Sequence, residues 1–272
     1  MTLGELIRSA EKRFRAAKLH YGHGTDNARD EAAFLVLRAL RLPFDVSLTR
    51  ETTPPQVKKI ESLIRKRIDK RIPTAYLLNE AWLDGHAFYV DRRVIIPRSH
   101  IAFLLQSLGK PKRALDLCTG SGCLAILAAH AFPRAVIDAT DVSSAALAVA
   151  RQNVNRYRLQ KRVRLIRSDL FNSIADQRYD AIFTNPPYVT GTAMRKLPPE
   201  YRLEPGAALA GGADGLFLVK KILREASHHL LPGGALVCEI GDGRRTLERA
   251  YPKLPFRWPQ ESVFILRREE LG

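Results

Sequence analysis

The tetrapeptide Asn185-Pro186-Pro187-Tyr188, which follows an apolar run at 179–184, combines residue types that could hold and activate a nitrogen atom. Each proline lacks an N–H, fixes φ and biases the preceding residue toward extended geometry, so neither a strand nor a helix continues through the segment. We expect a rigid turn in which the Asn185 side-chain oxygen and the Pro186 carbonyl accept both hydrogens of a planar NH2 group. The Tyr188 ring would pack on the face of that group, and Pro187 completes the predicted substrate-binding set.

An amide or exocyclic amine is a poor nucleophile because its lone pair is delocalised. Two acceptors that hold the N–H bonds would direct the lone pair at an incoming electrophile, which is catalysis by positioning and electrostatics. We therefore predict catalytic roles for Asn185, Pro186 and Tyr188. A Pro-rich turn without a chemical role is the alternative for this tetrapeptide alone, so the rest of the chain has to separate the two interpretations.

A second pattern lies upstream, where an apolar strand at 113–117 leads into a Gly-rich turn and a helix start. Gly120 and Gly122 lack a Cβ, so the backbone can turn tightly and a ligand can approach closely. No third glycine follows at the dinucleotide spacing, which disfavours a pyrophosphate site. Asp116, at the strand end, is unsuited to a diphosphate but suited to an amino-acid ammonium group.

Polar side chains also follow the next strands. A strand at 136–141 ends in Asp141, about twenty residues further on, where ribose hydroxyls would be held. The strand at 163–166 is followed by Asp169, and the fourth strand leads to Asn185. Open α/β sheets bind ligands at the carboxyl ends of their strands. The βα alternation therefore predicts a doubly wound α/β sheet with one ligand site at that edge.

The chain resembles the class I S-adenosylmethionine-dependent methyltransferases in the order and spacing of four motifs. They are D-L-C-T-G-S-G at 116–122, T-D-V at 140–142, S-D-L-F at 168–171 and N-P-P-Y at 185–188. Within that class the chain resembles the protein glutamine N5-methyltransferases. The likeness is closer to the branch that modifies a glutamine of the third large-subunit ribosomal protein than to the release-factor branch. It rests on the segments 21–27, 82–91 and 198–205, and on Cys118 and Cys123 around the Gly-rich turn.

The resemblance implies S-adenosyl-L-methionine as the cofactor and a Rossmann-like fold with a reversed C-terminal edge. The methionine part would lie against Asp116, Thr119, Gly120 and Gly122, the ribose against Asp141, and the adenine against Asp169 and Leu170. Asn185, Pro186 and Tyr188 would hold the glutamine amide. The full predicted cofactor set is Asp116, Cys118, Thr119, Gly120, Gly122, Asp141, Asp169, Leu170 and Asn185.

The C-terminal segment departs from the pattern of the branch. A Gly-rich, acidic turn usually precedes the last Val-Phe strand, whereas this chain has Pro-Gln-Glu-Ser-Val-Phe at 259–264. We therefore expect the final hairpin, and with it the edge of the sheet, to be shortened or altered. No predicted site residue lies there.

The spacing of apolar residues along the chain divides it into three parts. Residues 1–72 predict a small helical substrate-recognition domain with helices at 3–19, 26–40 and about 58–71. Residues 73–98 predict an extended β-hairpin connector that turns at Asp84-Gly85. Residues 99–272 predict the methyltransferase domain, with strands at 234–240 and 263–266 as its reversed edge.

Composition narrows the class of protein. The chain has 272 residues, of which 46% are hydrophobic, and no apolar run approaches the ~20 residues of a membrane span. The first eight residues contain no apolar signal core, so we expect a cytoplasmic protein. Three cysteines disfavour a disulfide framework. No metal site is predicted, because Cys118 and Cys123 flank the turn without partner ligands.

The net charge of +16 predicts an acidic partner, with nucleic acid first among the candidates. Residues 58–71 predict a basic amphipathic helix, with Pro54-Pro55 before it as the start signal. Its predicted buried stripe consists of Ile60, Leu63, Ile64 and Ile68. Its basic residues either form an ordinary solvated face or contact ribosomal RNA in an assembling particle. The excess charge of the whole chain favours RNA contact.

Three functions are compatible with the sequence. The first is S-adenosylmethionine-dependent N5-methylation of a glutamine in a large-subunit ribosomal protein, linked to ribosome assembly. The second is methylation of an exocyclic base amine in rRNA or DNA, which would need a pocket and a groove for an extruded base. The chain has no evident series of aromatic residues for base stacking. The third, a ribosome-assembly factor without catalysis, is disfavoured by the intact acids and Asn185.

Overall fold

The computed structural model describes residues 1–272 and contains nine α-helices and nine β-strands. The helices are α1 (Leu3–Ala16), α2 (Ala28–Ala39), α3 (Pro54–Lys70), α4 (Thr74–Leu78), α5 (Cys123–Ala131), α6 (Ser144–Arg156), α7 (Gly191–Lys196), α8 (Phe217–His229) and α9 (Arg244–Ala250). The strands are β1 (Ala81–Leu83), β2 (His86–Phe88), β3 (Arg113–Leu117), β4 (Val136–Asp141), β5 (Val163–Arg167), β6 (Tyr179–Thr184), β7 (Leu230–Glu239), β8 (Arg257–Gln260) and β9 (Val263–Arg267). None of the helices combines the length and apolarity needed to span a bilayer.

Seven strands form one sheet in the order β5-β4-β3-β6-β7-β9-β8. The strands from β5 to β7 are parallel, whereas β9 runs antiparallel to β7 and β8 antiparallel to β9. The predicted doubly wound α/β sheet with a reversed C-terminal edge is therefore confirmed. The chain order reverses between β3 and β6, and a sheet of this kind has its ligand crevice at that point.

Alternate side chains of the central strands enter two separate apolar layers. Ala114 and Phe183 belong to a buried cluster that includes the apolar residues of α5, while Leu115 and Ile182 belong to a cluster that includes those of α8. A sheet that is covered on both faces buries its backbone hydrogen bonds and leaves its strand ends free for function.

The first three helices enclose a buried apolar cluster of their own. The Thr2 hydroxyl caps α1 in a capping box with Glu5, and Asn27 caps α2 by accepting the Asp30 N–H at 3.0 Å. The helices lie close to their predicted positions: α3 begins at Pro54, in the Pro-Pro pair predicted as its start signal, and α1 ends at Ala16, three residues before its predicted end.

The predicted stripe of α3 differs from the observed one. Ile60 and Ile64 are completely buried, but Leu63 and Ile68 are only half-buried. The third fully inward position belongs to Arg67, whose side chain has no exposed surface. The sequence placed Arg67 in the basic run of this helix, whereas the structure buries it among carboxylates.

The connector at 73–98 is only partly extended. It begins with the short helix α4, and its β1–β2 hairpin has three residues in each strand, with Asp84 and Gly85 in the turn as predicted. At the C-terminus, β9 pairs with β7 at five positions, and β8 pairs with the other edge of β9. The unusual segment 259–264 therefore still forms the last hairpin at this edge of the sheet. The domain boundaries at 72 and 98 stay predictions.

Candidate active site

A cavity of about 220 Å³ opens at the carboxyl ends of β3, β4, β5 and β6. It brings together almost all of the residues that the sequence assigned to the cofactor: Asp116, Cys118, Thr119, Gly120, Asp141, Asp169, Leu170 and Asn185. The exception is Gly122, which lies at the start of α5 with φ +79°. A Cβ at Gly122 would come within 3.1 Å of the Ala150 Cβ, so this glycine allows α5 and α6 to pack closely.

Asp116 is the most deeply buried acid of the cavity, with 1% of its surface exposed. Its Oδ2 accepts hydrogen bonds from the Thr119 hydroxyl at 2.5 Å and the Ala125 N–H at 2.9 Å, while its Oδ1 has no partner. Burial raises the pKa of Asp116 to about 7, although both hydrogen bonds oppose that shift. A buried carboxylate oxygen without a donor fits an ammonium group, as expected for the methionine part of the cofactor.

Asp141 ends β4 on the opposite side of the Gly-rich turn. Its Oδ2 accepts the Gly120 N–H and its Oδ1 accepts the Ser143 N–H, each at 2.9 Å. Burial raises the pKa of this carboxyl, and the two N–H donors counteract the shift. Each oxygen keeps a second lone pair, so the carboxylate can still accept two vicinal hydroxyls.

The far end of the cavity contains Asp169 and Leu170. Asp169 is exposed at the mouth, and Leu170 is buried with a left-handed φ of +47°. The Ser168 hydroxyl donates to the Leu170 carbonyl at 2.7 Å and stabilises this turn. An apolar side chain beside an exposed carboxylate can contact both the face and the edge of a heteroaromatic ring.

A second cavity, of about 290 Å³, adjoins the first. It is lined by all four residues of the Asn-Pro-Pro-Tyr turn, and Asn185 and Pro187 line both cavities. Asn185 therefore lies at the boundary between the two spaces. A group held by its side chain in the second cavity would face the first.

The Tyr188 ring is held in place by the backbone of the neighbouring loop. A Cβ at Gly241 would come within 2.7 Å of the Tyr188 ring, so only glycine allows this approach. Burial, followed by the nearby Glu239 charge, raises the pKa of the Tyr188 hydroxyl to about 12. The hydroxyl therefore stays protonated near neutral pH and can serve as a neutral donor.

Two residues at the cavities, Glu239 and Arg98, were not assigned to the site from the sequence. Glu239, at the end of β7, lines the second cavity and is 2% exposed. The pairing of Thr184 with Cys238 places it next to Asn185 in the sheet. The Ser99 hydroxyl and the His100 N–H donate to its Oε2 at 2.6 and 3.0 Å. An acid at a strand end is the same signal that identified Asp141.

Arg98 is the other such residue, and it lines both cavities. Its two terminal nitrogens donate to Glu204 at 2.7 Å each, and the Ile96 N–H donates to the same carboxylate at 2.9 Å. The guanidinium also lies over the Tyr201 ring, 5.3 Å from its centroid. This bidentate pair fixes segment 96–98 against the loop that follows the Asn-Pro-Pro-Tyr turn. No cluster of three or more His, Cys, Asp or Glu side chains could hold a metal ion.

Comparisons with known proteins agree with this geometry. Residues 100–198 match the family model described as the methyltransferase small domain. A crystal structure of a methyltransferase from Pyrococcus furiosus shares the fold, with a TM-score of 0.50 and 21% identity over 78% of this chain and 98% of that one.

Two curated relatives are much more similar in sequence. The ribosomal protein uL3 glutamine methyltransferase of Bordetella pertussis is 49% identical over 100% of this chain and 96% of its own. Its counterpart from Bradyrhizobium diazoefficiens is 48% identical over 95% of this chain and 86% of its own. At this identity over the whole length, the chain belongs to the family of ribosomal protein uL3 glutamine methyltransferases.

Proposed function

We propose that this protein transfers a methyl group from S-adenosylmethionine to the side-chain amide nitrogen of a glutamine in ribosomal protein uL3. The observation that carries the proposal is the position of Asn185, which lines both the cavity with the predicted cofactor residues and the adjoining cavity. A glutamine amide held by Asn185 in the second cavity would present its nitrogen to the first. The names of the relatives at 48–49% identity support uL3 as the acceptor.

When bound, S-adenosylmethionine supplies an electrophilic methyl group, and the residues of the first cavity orient it. The unpartnered Oδ1 of Asp116 would accept the ammonium group, and Asp141 would accept the ribose hydroxyls. Asp169 and Leu170 would contact the adenine. Cys118 and Thr119 line the same wall, and Gly120 donates its N–H to Asp141.

In the second cavity, Asn185 and the Pro186 carbonyl would accept the two amide hydrogens of the glutamine. That arrangement keeps the amide plane fixed and directs the nitrogen lone pair toward the methyl group. Tyr188, whose ring is fixed by close contact with Gly241, would cover the face of the amide. Pro187, which lines both cavities, would keep the turn rigid.

We also propose contact with rRNA of the assembling large subunit, in the cytoplasm, where ribosomal proteins are made. Lys58, Arg65 and Lys66 are exposed on α3. Lys59, in contrast, donates to the Ala39 carbonyl at 2.5 Å and is less available. The net charge of +16 supports an acidic partner beyond the small cofactor.

The test is incubation with methyl-labelled S-adenosylmethionine and unmethylated large-subunit particles, or with recombinant unmethylated uL3. We expect label in uL3 alone, on a single glutamine that tandem mass spectrometry identifies as N5-methylated. Label in rRNA would instead show base-amine methylation, and stable binding without label would show an assembly factor. The Asn185→Ala variant, purified in the same way and expected to be about a hundredfold slower, controls for contaminating methyltransferases.

A further inference from the structure

Two of the segments that set this branch apart take no part in the chemistry described above. They are residues 21–27 and 82–91, and parts of both line a third cavity, of about 320 Å³. It lies beside α2, and we call it the aromatic groove. Its lining includes three aromatic residues, Phe34, Phe44 and Trp82, and two polar ones, His23 and Asp30.

The wall of the groove is made of aromatic rings. Phe34 and Phe44 stack with centroids 6.4 Å apart, and Phe44 meets Trp82 edge to face at 5.4 Å. The Arg38 guanidinium lies over Phe44 and Trp82, 5.7 and 5.5 Å from their centroids. Phe44 nevertheless keeps 52% of its surface exposed. Exposed aromatic surface in a concave, partly polar setting is typical of a binding site for an apolar side chain.

His23 adds an unsatisfied polar group to the groove. Its side chain is 5% exposed, and neither ring nitrogen has a hydrogen-bond partner, although Nε2 lies 4.0 Å from Glu204 Oε2. Burial, followed by the positive charges of Arg98 and Arg67, lowers its pKa to about 3, so the ring is neutral and offers one donor and one acceptor. Buried polar atoms are nearly always partnered, so these two nitrogens point to a ligand that supplies the missing groups.

The groove lies next to the second cavity, which we call the acceptor cavity, and one layer of rings separates the two. The His23 ring lies 4.2 Å from the Tyr201 ring, centroid to centroid, and Tyr201 lines the cavity that contains Asn185. Gly22 brings its backbone against the Tyr201 hydroxyl, with a left-handed φ of +107° that favours glycine. His23 and Tyr201 thus form a shared wall between the two spaces. A polypeptide whose glutamine occupied the acceptor cavity could continue into the groove.

The charge of the groove favours one kind of occupant. Asp30 is the only charged residue among those that line the groove directly, and the Arg38 guanidinium over Phe44 and Trp82 is paired with Glu80. The chain as a whole, in contrast, has a net charge of +16. A carboxylate at the rim attracts a basic segment and repels phosphates, so the groove suits a basic protein rather than RNA.

We propose that the aromatic groove binds the segment of the acceptor protein that flanks the methylated glutamine. An apolar side chain would pack against the exposed surface of Phe34, Phe44 and Trp82, and a basic neighbour would lie near Asp30. The groove would then determine which glutamine reaches Asn185. This inference rests on the proposed function, since the acceptor is taken to be uL3.

The test uses the full-length Phe44→Ala variant and recombinant unmethylated uL3, with uL3 binding measured directly and methylation measured at steady state. We expect Kd and KM for uL3 to rise about tenfold, the scale of truncating one interface aromatic, with kcat and cofactor affinity unchanged. His23→Phe keeps the ring contact with Tyr201 but removes both nitrogens, and it should also raise the Kd. Phe103→Ala removes a more exposed phenylalanine, at 61%, that lies outside all three cavities, and it should change neither constant.

Direct binding separates this proposal from the methylation itself. If wild type binds uL3 without methylating it, the proposed function fails, and a weaker Phe44→Ala complex still supports the groove. Unchanged uL3 affinity in Phe44→Ala and His23→Phe would overturn the groove, as would the absence of uL3 binding by wild type. If Phe44→Ala lost binding to protein-free rRNA but kept the wild-type affinity for uL3, that result would also overturn the proposal that the groove binds uL3.

Discussion

Arg67 of α3 and Glu200 of the loop after the Asn-Pro-Pro-Tyr turn form a buried ion pair, with Nη1 and Oε1 3.3 Å apart, although 133 residues separate them. Arg67 also pairs with Glu31 of α2 at 2.5 Å and donates to the His20 carbonyl at 2.9 Å. Neither member of the Arg67–Glu200 pair has more than 1% of its side chain exposed. The pair therefore connects the N-terminal helices directly to the loop that carries Tyr201.

The same loop is held on its other side by the bidentate pair of Arg98 and Glu204. Tyr201 lies between these two ionic contacts and lines the acceptor cavity. A loop fixed at both ends positions Tyr201 without needing the acceptor to order it, which lowers the entropic cost of binding. The N-terminal helices thus help to build the acceptor cavity as well as the adjoining groove.

The first prediction concerns Arg67. In Arg67→Leu the carboxylate of Glu31 remains buried without its arginine, and that of Glu200 keeps only Arg71 and the His20 N–H. The free energy of unfolding should therefore fall by about 3–5 kcal/mol. Urea denaturation followed by circular dichroism measures this loss. Arg65→Leu removes an exposed arginine two residues away and should change stability by less than about 0.5 kcal/mol. Equal effects of the two variants would contradict a structural role for the buried network.

The second prediction concerns Asp141. Replacing it with Ala removes both acceptors proposed for the ribose hydroxyls and should weaken S-adenosylmethionine binding by about 1–3 kcal/mol. Asp141→Asn keeps one acceptor oxygen and should lie between wild type and Ala. Isothermal titration calorimetry gives all three affinities, and identical values would remove Asp141 from the cofactor site.

The third prediction concerns pH. The pKa of Asp116 in the folded protein, about 7, lies above its ordinary value of 3.8, so between these two pH values the folded state keeps a proton that the unfolded state has lost. Stability of the ligand-free protein should therefore decrease as pH rises from about 4 to about 7, and this decrease should be smaller in Asp116→Asn.

Cofactor affinity should show the opposite trend over the same range. An ammonium ligand binds the charged carboxylate, so affinity should increase as pH rises toward 7, with proton release on binding. Calorimetry at several pH values, in buffers of different ionisation enthalpy, measures that release. The slope of cofactor affinity against pH should be smaller in Asp116→Asn. The pH dependence that remains comes from Asp141, whose pKa is also raised by burial. An unchanged slope would contradict the contact between Asp116 and the ammonium group.

Sequence patterns were sufficient to predict six of the seven strands of the main sheet, all but β8, and almost all of the predicted cofactor residues line the first cavity. Each of those residues follows a strand or stands in a Gly-rich turn, so a local pattern identifies it. Arg67 and His23 could not be placed in this way. In the sequence, a buried basic residue of a charged helix looks the same as a solvent-exposed one. Arg67 is buried only because α3 packs against a loop that is distant in the chain. His23 becomes significant only next to Tyr201, which is 178 positions away in the chain.

The fourth prediction concerns RNA contact. If α3 contacts rRNA, Lys58→Glu, Arg65→Glu and Lys66→Glu combined should weaken binding to large-subunit particles and flatten its dependence on salt, because fewer counterions are released. Filtration or sedimentation at several salt concentrations measures this slope. Reversal of Lys110, Lys112 and Arg134, three exposed basic residues that precede β3 and β4, is the matched control. If both triple variants give the same slope, a specific role for α3 is excluded.

The last prediction concerns Asn185. Asn185→Ala removes one acceptor for the target NH2 group while the two prolines keep the turn rigid, so single-turnover methylation of uL3 should slow by about a hundredfold or more. Cofactor affinity should change far less, because Asn185 is one of many residues that line the first cavity.

Asn185→Asp is the sharper comparison. Its carboxylate still accepts the hydrogen bond, but a charge buried beside a neutral amide has a desolvation cost. We therefore expect the single-turnover rates to decrease in the order Asn, Asp, Ala. Asn172→Ala, at an exposed asparagine outside both cavities, controls for general effects of substitution. A rate for Asn185→Ala equal to wild type would mean that another group holds the amide, and glutamine methylation would lose its main physical support.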